Sequence, residues 1–217
     1  MAFDISRRSA VSPVFSIAFE HEHQFQAAES ALRKIRSGPN GSRIIYEIER
    51  ATTMDKQPMI LVESDPNEES ASVGYLTESQ LRKHKFQGHD HSDRNYGMTV
   101  SHYSSNGEGV RPVIHYNPED AIMVDSLGEP YSVKNKSLAF VTLAHELIHT
   151  YHQMKGTSIE GDVDKSALED DNHLREEMRA VGYATYANSL FSENGVRQDH
   201  GLPIRKQYFE IQELEDE

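Results

Sequence analysis

Hydrophobic residues recur at helical spacing in two segments near the start of the chain. The first segment ends at Ser37-Gly38-Pro39, and its apolar positions are Phe25, Ala28, Leu32 and Ile35. In the second segment, Ile44, Ile45 and Ile48 predict another turn or two of helix. The folded chain is therefore expected to open with two short helices.

Three short segments further along have the composition of β-strands. They are Met59–Val62, residues 98–103 and residues 110–116, which are rich in apolar, β-branched and aromatic side chains. Pro112 cannot donate a hydrogen bond to a neighbouring strand, so it places the third strand at a sheet edge or lies at that strand's start. At an edge, an extended peptide substrate could add as a further strand. An edge strand without a role in substrate binding is the alternative.

The longest helical pattern runs from Ser137, a candidate N-cap, to Gly156, a candidate C-terminal stop, which leaves room for about five turns. One face is a wide apolar stripe that consists of Phe140, Leu143, Ala144, Leu147, Ile148, Tyr151 and Met154. The other face carries Thr142, His145, Glu146, His149 and His152. We expect the apolar face to pack into a core and the histidines to face a cleft.

The polar face contains His145-Glu146-Leu147-Ile148-His149, which has the spacing of a hydrolytic zinc site. Residues four apart lie one above the other on a helix, so both imidazoles can reach one ion while Glu146 lies beside the reacting water. The flanking residues Thr142-Leu143-Ala144 and Thr150-Tyr151 contain no charge and no proline, and they resemble the longer consensus of zinc metallopeptidases. The alternative is the solvated face of an amphipathic helix.

A catalytic zinc ion usually takes three protein ligands, so the chain should supply one more. His152 is not expected to be that ligand, because it lies about 10 Å along the helix axis from His145. The third histidine of the metzincins is also missing, since Lys155 stands at its position.

The next helical stretch, at about residues 172–188, offers the third ligand. Its apolar stripe consists of Leu174, Met178, Val181 and Thr185. Glu177 lies on the flank of this stripe, where a carboxylate is costly unless it is paired or metal-bound, whereas Glu176 projects to the opposite side. The pattern favours Glu177 over Glu176, and His173 and the acids of residues 156–171 are further options. In the alternative, both glutamates start a solvated helix near its N-terminal dipole.

Four segments, in this order, resemble the NleD-like zinc metalloprotease effectors, a family of bacterial proteins delivered by type III secretion. They are residues 145–149 (HELIH), 176–182 (EEMRAVG), 192–197 (SENGVR) and 201–208 (GLPIRKQY). The resemblance is closest from about residue 137 to residue 208, and weaker similarity upstream involves Phe25, Ala31-Leu32, Ile35 and Gly41. Ala180 replaces the threonine of the family pattern E-x-x-T-V-G, which removes a hydroxyl near the site and leaves the ligand unchanged.

The resemblance implies host signalling proteins as substrates, with mitogen-activated protein (MAP) kinases of the JNK/p38 type as the leading candidates. It also implies type III secretion and action in the host cell cytoplasm. In the late segment, Tyr208 or Arg205 could donate a hydrogen bond to the oxyanion that forms during hydrolysis. The alternative is that Arg205 pairs with an acid and Tyr208 packs.

Composition and charge restrict the class of protein. At 217 residues and 36% hydrophobic content, the chain is long enough for one substantial core. The net charge of -13 argues against nucleic acid or an anionic membrane as a partner, because both attract basic surfaces, and it fits a basic protein substrate better. Cysteine is absent, so histidine and carboxylate are the available ligand types.

Residues 1–20 have the polar, serine-containing composition of a secretion leader, and we expect them to be disordered. They match a cleaved export signal poorly, because Pro13 interrupts the apolar run and Glu20-His21-Glu22-His23 stands where a cleavage site should be. No segment approaches the roughly 18 apolar residues of a membrane span. The folded domain is therefore predicted to cover residues 21–217.

These patterns predict an α+β fold in which one zincin-like domain, expected to be a monomer, packs a small sheet against the active-site helix. The predicted reaction is peptide-bond hydrolysis, with one Zn2+ ion held by His145, His149 and Glu177 and with Glu146 as the general base. Two alternatives stay open, a non-catalytic binding protein stabilised by zinc and a metalloprotease toxin with a different target. The intact Glu146 favours an enzyme, because a structural zinc site has no use for a base.

Overall fold

The computed structural model describes residues 5–65, 67–159, 171–189 and 191–207. The helices of this part are α1 (Glu22–Arg36), α2 (Pro39–Ala51), α3 (Glu78–His84), α4 (Arg94–Ser105), α5 (Ala139–Lys155), α6 (Asp171–Val181) and α7 (Glu193–Asp199). The strands are β1 (Ile5–Arg8), β2 (Ser16–Phe19), β3 (Met59–Val62), β4 (Ala71–Tyr75), β5 (Arg111–Tyr116), β6 (Asp120–Val124) and β7 (Pro130–Lys134). The predicted α+β class is confirmed. None of the described helices is long and apolar enough to cross a membrane.

Five strands form a mixed sheet in the order β1-β2-β3-β5-β4. The central strands β2, β3 and β5 run parallel, and the edge strands β1 and β4 run antiparallel to their neighbours. β6 and β7 form a separate antiparallel hairpin. Both β4 and β6 contact α5. The helix that carries the two motif histidines therefore packs against a sheet edge and against the hairpin.

One hydrophobic core joins the sheet to α1, α2 and α5. Helix α5 supplies a large share of it, because Leu143, Ala144, Leu147 and Ile148 are fully buried. Burial of each leucine or isoleucine side chain stabilises the fold by about 1.5–3 kcal/mol. The predicted apolar stripe thus sets how α5 lies against the sheet, and the opposite face of the helix is left for polar contacts.

The ends of α5 follow from local chemistry. Gly156 ends the helix as predicted, with a φ of 65° that favours glycine. Ser137 is not the N-cap, because the helix begins after Leu138. Asn135 organises the turn before it, and its Oδ1 accepts hydrogen bonds from the Ser137 backbone N–H and the Ser137 hydroxyl. Ser137 is thus used in a turn rather than in a cap.

Helix α6 ends at Val181, earlier than the predicted residue 188. Gly182 follows with a φ of 77°, and a Cβ atom at this position would lie 2.3 Å from the Cβ of Ser192. The glycine therefore stops the helix and permits the close approach of the segment that leads into α7.

Residues 98–103, which we predicted to be a strand, belong to α4. The Asp93 side chain accepts a hydrogen bond from the backbone N–H of Asn95 and so caps the helix. Tyr96 and Tyr103 are buried one above the other at a spacing of seven residues, with Val100 packed against them. The segment therefore buries one helical face, and the prediction was wrong because a short apolar run fits either period.

The predicted strand at residues 110–116 is confirmed as β5, but it is not an edge strand, because β3 and β4 flank it. Pro112 is its second residue, so the alternative of a proline at the strand's start is correct. The edge next to α5 is β4, which was not predicted. Its sequence, Ala-Ser-Val-Gly-Tyr, has too little hydrophobic character to stand out as a strand.

Residues 5–20 are folded, so the expected disordered leader is wrong for them. β1 and β2 pair with each other, and β2 pairs with β3 inside the main sheet. Phe15 and Ile17 are fully buried in the core, and Phe19 is almost fully buried. Polar composition masked this role, because only a few apolar side chains are needed to anchor two short strands.

Candidate metal centre

The polar face of α5 turns its two motif histidines towards one point. His145 and His149 lie about one turn apart, and their Nε2 atoms are 3.0 Å from each other. His145 is buried and the side chain of His149 is 12% exposed, so water covers little of either ring. Two ring nitrogens at this distance cannot both carry a proton without repulsion, so at least one presents its lone pair.

Helix α6 brings a carboxylate to the two imidazoles. Glu177 Oε2 lies 3.0 Å from His145 Nε2, and Glu177 Oε1 lies 3.2 Å from His149 Nε2. A buried carboxylate is costly unless it is paired or metal-bound, and Glu177 is buried. The structure therefore brings together the three residues predicted as ligands, and they form a group with the geometry to hold a metal ion.

The three donors fit a zinc ion in size and in chemistry. Zinc bonds of about 2.0–2.1 Å in a tetrahedral arrangement place neighbouring donor atoms roughly 3.3 Å apart. The observed separations are 3.0, 3.0 and 3.2 Å. Two imidazoles with one carboxylate are also a donor set of catalytic rather than structural zinc sites.

A second buried carboxylate, that of Glu193 on α7, orients His145. Its Oε2 lies 2.9 Å from His145 Nδ1, so a proton on Nδ1 leaves the Nε2 lone pair directed at the cluster. Arg197 Nε donates to Glu193 Oε1 at 2.7 Å, and Arg205 Nη1 donates to Glu193 Oε2 at 2.9 Å. Burial opposes ionisation of this carboxyl, yet Arg205, His145 and Arg197 hold its pKa far below the usual range.

These contacts decide between the alternatives for Arg205, which pairs with an acid. Tyr208, the other candidate for the oxyanion donor, lies outside the described residues. His173 lies at the edge of the cluster, with its Nε2 atom 3.9 Å from Glu177 Oε1. Glu193 was not predicted as a site residue, although its spacing of four from Arg197 on a helix was a signal for an ion pair.

Glu176 does not project away from the site as its helical angle predicted. It is buried, with Oε1 2.5 Å from His152 Nδ1 and 3.5 Å from His149 Nδ1. The prediction was wrong because it oriented α6 by its own apolar stripe, whereas the first half of α6 packs on the polar face of α5. His149, His152 and Glu176 form a second group with the geometry to hold a metal ion.

Charge in the cluster shifts the acid–base behaviour of the histidines. Burial disfavours protonation of His145, but hydrogen bonds with Glu177 and Glu193 outweigh it and raise its pKa to about 9. Burial likewise opposes protonation of His149, and Glu177 and Glu176 raise its pKa well above the usual value. A field that holds protons on these nitrogens also favours a divalent cation, which would displace the protons on binding.

Glu146 lies beside these donors and is buried. Burial raises its pKa above the usual value, against the opposing influence of His145 and His149. A carboxylate with a raised pKa accepts a proton more readily, so Glu146 has the position and the chemistry of a general base.

The cluster lies in a cleft of ≈ 820 Å³. Its walls come from β4, α4, the β6–β7 hairpin and α6, and they include Ser72, Gly74, Ser104, Ile122, Val133 and Glu177. A cleft that follows the exposed edge of a strand can take an extended peptide. The reactive residues therefore lie where a peptide segment could reach them.

A sequence profile of the Peptidase_M91 family, described as effector protein, matches residues 15–208. No curated protein sequence matches the chain. The light chain of Clostridium botulinum neurotoxin serotype F matches with a TM-score of 0.45 and 16% identity, over 83% of this chain and 50% of that chain.

Two further solved structures match at a similar level. The catalytic domain of Clostridium botulinum neurotoxin serotype F has a TM-score of 0.41 and 17% identity, over 75% of this chain and 50% of that chain. The light chain of botulinum neurotoxin serotype HA has a TM-score of 0.41 and 16% identity, over 63% of this chain and 36% of that chain. This chain thus spans half or less of the length of these structures.

Proposed function

Because the chain belongs to the Peptidase_M91 family of effector proteins, we propose that it is a zinc-dependent endopeptidase that cleaves a host protein. The family supports peptide-bond hydrolysis. The observation that carries the zinc assignment is the convergence of His145, His149 and Glu177 on one point, with Glu146 beside them in an open cleft. One Zn2+ ion fits these three donors.

The proposed mechanism assigns a separate task to each residue. Zinc, when bound, supplies a Lewis acid that polarises the scissile carbonyl and acidifies water. Glu146 accepts the proton of the attacking water and then delivers it to the leaving amine. His145, His149 and Glu177 hold the ion, and Glu193 keeps the proton of His145 on Nδ1 so that Nε2 stays free to bind.

The oxyanion of the reaction needs a further hydrogen-bond donor, and Tyr208 is our candidate. The competing candidate, Arg205, is paired with Glu193. The backbone N–H of Lys206 donates to the Gly128 carbonyl at 2.9 Å, which anchors the residues before Tyr208 beside the β6–β7 hairpin. A fall in kcat with unchanged zinc content in Tyr208→Phe would support this assignment, and an unchanged kcat would remove it.

For the substrate backbone, we propose the outer edge of β4, which replaces β5 as the candidate for strand addition. β4 is the edge strand nearest α5 and lines the cleft. The carbonyl of Ser72 is already occupied, because it accepts a hydrogen bond from Gln153 Nε2 at 2.9 Å. A peptide would therefore use the edge on either side of Ser72, and Gly74→Pro should raise KM more than it lowers zinc content.

For the substrate itself, we propose JNK/p38-type MAP kinases, reached after type III secretion into the host cytoplasm. The support is the resemblance of residues 145–208 to the NleD-like effectors, together with a cleft that suits an extended segment. A kinase activation loop is mobile and can be drawn out as a strand. The net charge of -13 would steer the protein towards basic kinase surface, and this steering should weaken as salt rises.

Intact-mass analysis of these kinases after incubation with the zinc-loaded protein tests the proposal. We expect one cut within the activation loop, and we expect it to disappear with a zinc chelator and with Glu146→Ala, which removes the base and spares the ligands. Lys155→Gln, an exposed change on the same helix, should cut at the wild-type rate. Kinases that stay intact would refute the substrate, whereas cleavage by Glu146→Ala would refute the mechanism.

A further inference from the structure

A buried polar cluster lies at the junction of α5, α6 and the segment after α5. Its centre is Glu176, which is 7% exposed, and its other members are His149, His152, Arg179 and the backbone of Ile159. We propose that Glu176 is a positioning residue that docks α6 on α5 through His152 and so holds Glu177 at the metal site. The inference rests on the proposed zinc function and concerns a residue that binds no substrate.

The two carboxylate oxygens of Glu176 face different parts of the protein. Oε1 lies 2.5 Å from His152 Nδ1 and 3.5 Å from His149 Nδ1, so it contacts two consecutive turns of α5. Oε2 accepts a hydrogen bond from the backbone N–H of Ile159 at 3.0 Å and lies 3.4 Å from Arg179 Nη1. One side chain therefore joins the metal-binding helix, the segment that follows it and α6.

The first half of α6 depends on such polar contacts for its position. Among its described residues, the buried apolar side chains are Ala180 and Val181, which both lie beyond Glu177. Residues 156–170 separate the two helices along the chain, so a connection of this length does not itself fix their spacing. Hydrophobic packing thus holds the end of α6, and Glu176 holds the turn that carries Glu177.

The contact with His149 repeats the arrangement around His145. Glu193 lies beside Nδ1 of His145, and Glu176 lies beside Nδ1 of His149, so each Nε2 can direct its lone pair at the metal site. A carboxylate that orients a ligand in this way commonly changes metal affinity by about 10–100-fold when it is removed. The loss of Glu176 should therefore act on the metal and not only on folding.

Because His149, His152 and Glu176 could also hold a metal ion, a second ion is the competing interpretation. An ion there would require His149 to bridge two metals through its two ring nitrogens. The hydrogen-bonded arrangement instead leaves His149 Nε2 for Glu177's partner ion and pairs His152 with Glu176. A stoichiometry of two zinc ions per chain would overturn the positioning role.

Zinc affinity, measured by competition with a chelator, separates these readings. Glu176→Ala should weaken zinc binding by about 10–100-fold, and Glu176→Gln, which keeps the shape and an acceptor oxygen, should recover part of that loss. The visible absorption spectrum of the Co2+-loaded protein should change in Glu176→Ala, because the third ligand moves. Arg175→Gln, an exposed change on the same helix, should leave both measurements at the wild-type values.

A double-mutant cycle tests whether Glu176 acts through His152. Since both side chains make the same bond, His152→Phe and Glu176→Ala together should cost no more zinc affinity than the larger single change. If Glu176→Ala does not fold, Glu176→Gln and His152→Asn are measured in its place. Wild-type zinc affinity and Co2+ spectrum in the folded Glu176 variants would overturn the inference, even if their Tm falls. A wild-type protein that binds no zinc would instead overturn the proposed function.

Discussion

At the scale of single residues, the site pairs each imidazole of α5 with a carboxylate. His145 faces Glu193, and His149 and His152 face Glu176. The residues of the α5 motif could be predicted because the spacing of four on a helix is a local property. The roles of Glu193 and Glu176 could not, because they depend on how α6 and α7 pack against α5, which periodicity within one helix does not report.

Replacing Glu193 by alanine should lower stability and zinc affinity together. Arg197 and Arg205 would stay buried without their counter-charge, which costs about 3–5 kcal/mol in the free energy of unfolding. His145 would lose its orienting partner, which weakens zinc binding by about 10–100-fold. Urea unfolding and chelator competition measure the two effects, with the exposed change Glu78→Ala as the control. Unchanged zinc affinity in Glu193→Ala would contradict the orienting role.

At the scale of elements, the sequence predicts best where a long apolar face repeats. α1, α2 and α5 carry such faces, and each was predicted. α4 was misassigned because its apolar run is short, and β4 was missed because its small polar residues acquire strand structure only through pairing with β5. The cleft wall that faces a substrate is therefore the part that the sequence reveals least.

The end of α5 allows a paired test with two glycines. Gly156 has a φ of 65°, and an added Cβ atom would lie 2.7 Å from the backbone of Gly107 and Glu108, so Gly156→Ala should lower Tm. Gly97 lies inside α4 with nothing within 4 Å of an added Cβ atom, so Gly97→Ala should stabilise the protein by about 0.5–1 kcal/mol. Thermal unfolding followed by circular dichroism measures both. Equal shifts in the same direction would show that the end of α5 is wrongly described.

At the scale of the whole molecule, one core spans from β2 to α7. Phe15 and Ile17 of the N-terminal segment pack in the same cluster as Leu147 of α5 and Val196 of α7. The segment that we expected to be a leader is thus part of the structure that supports the metal-binding helix. Composition could not reveal this, because the deciding contacts join residues far apart in sequence.

Removal of residues 1–19 should therefore unfold the protein. The truncation deletes three core side chains with exposures of 0%, 0% and 1%, namely Phe15, Ile17 and Phe19. Loss of one large core side chain already costs about 2–5 kcal/mol, comparable to much of a domain's total stability. Removal of residues 1–4 alone is the control and should leave thermal unfolding unchanged. A cooperative wild-type melting curve after removal of residues 1–19 would restore the leader interpretation.

The most direct test of the account is the zinc content of folded protein, measured as moles of metal per mole of chain in parallel for three proteins. We predict about one zinc ion in the wild type, about one in Glu146→Ala and close to none in His149→Ala, because only the last loses a ligand. Circular dichroism confirms that each sample is folded. Equal zinc in His149→Ala and in the wild type would contradict the proposed centre and the mechanism built on it.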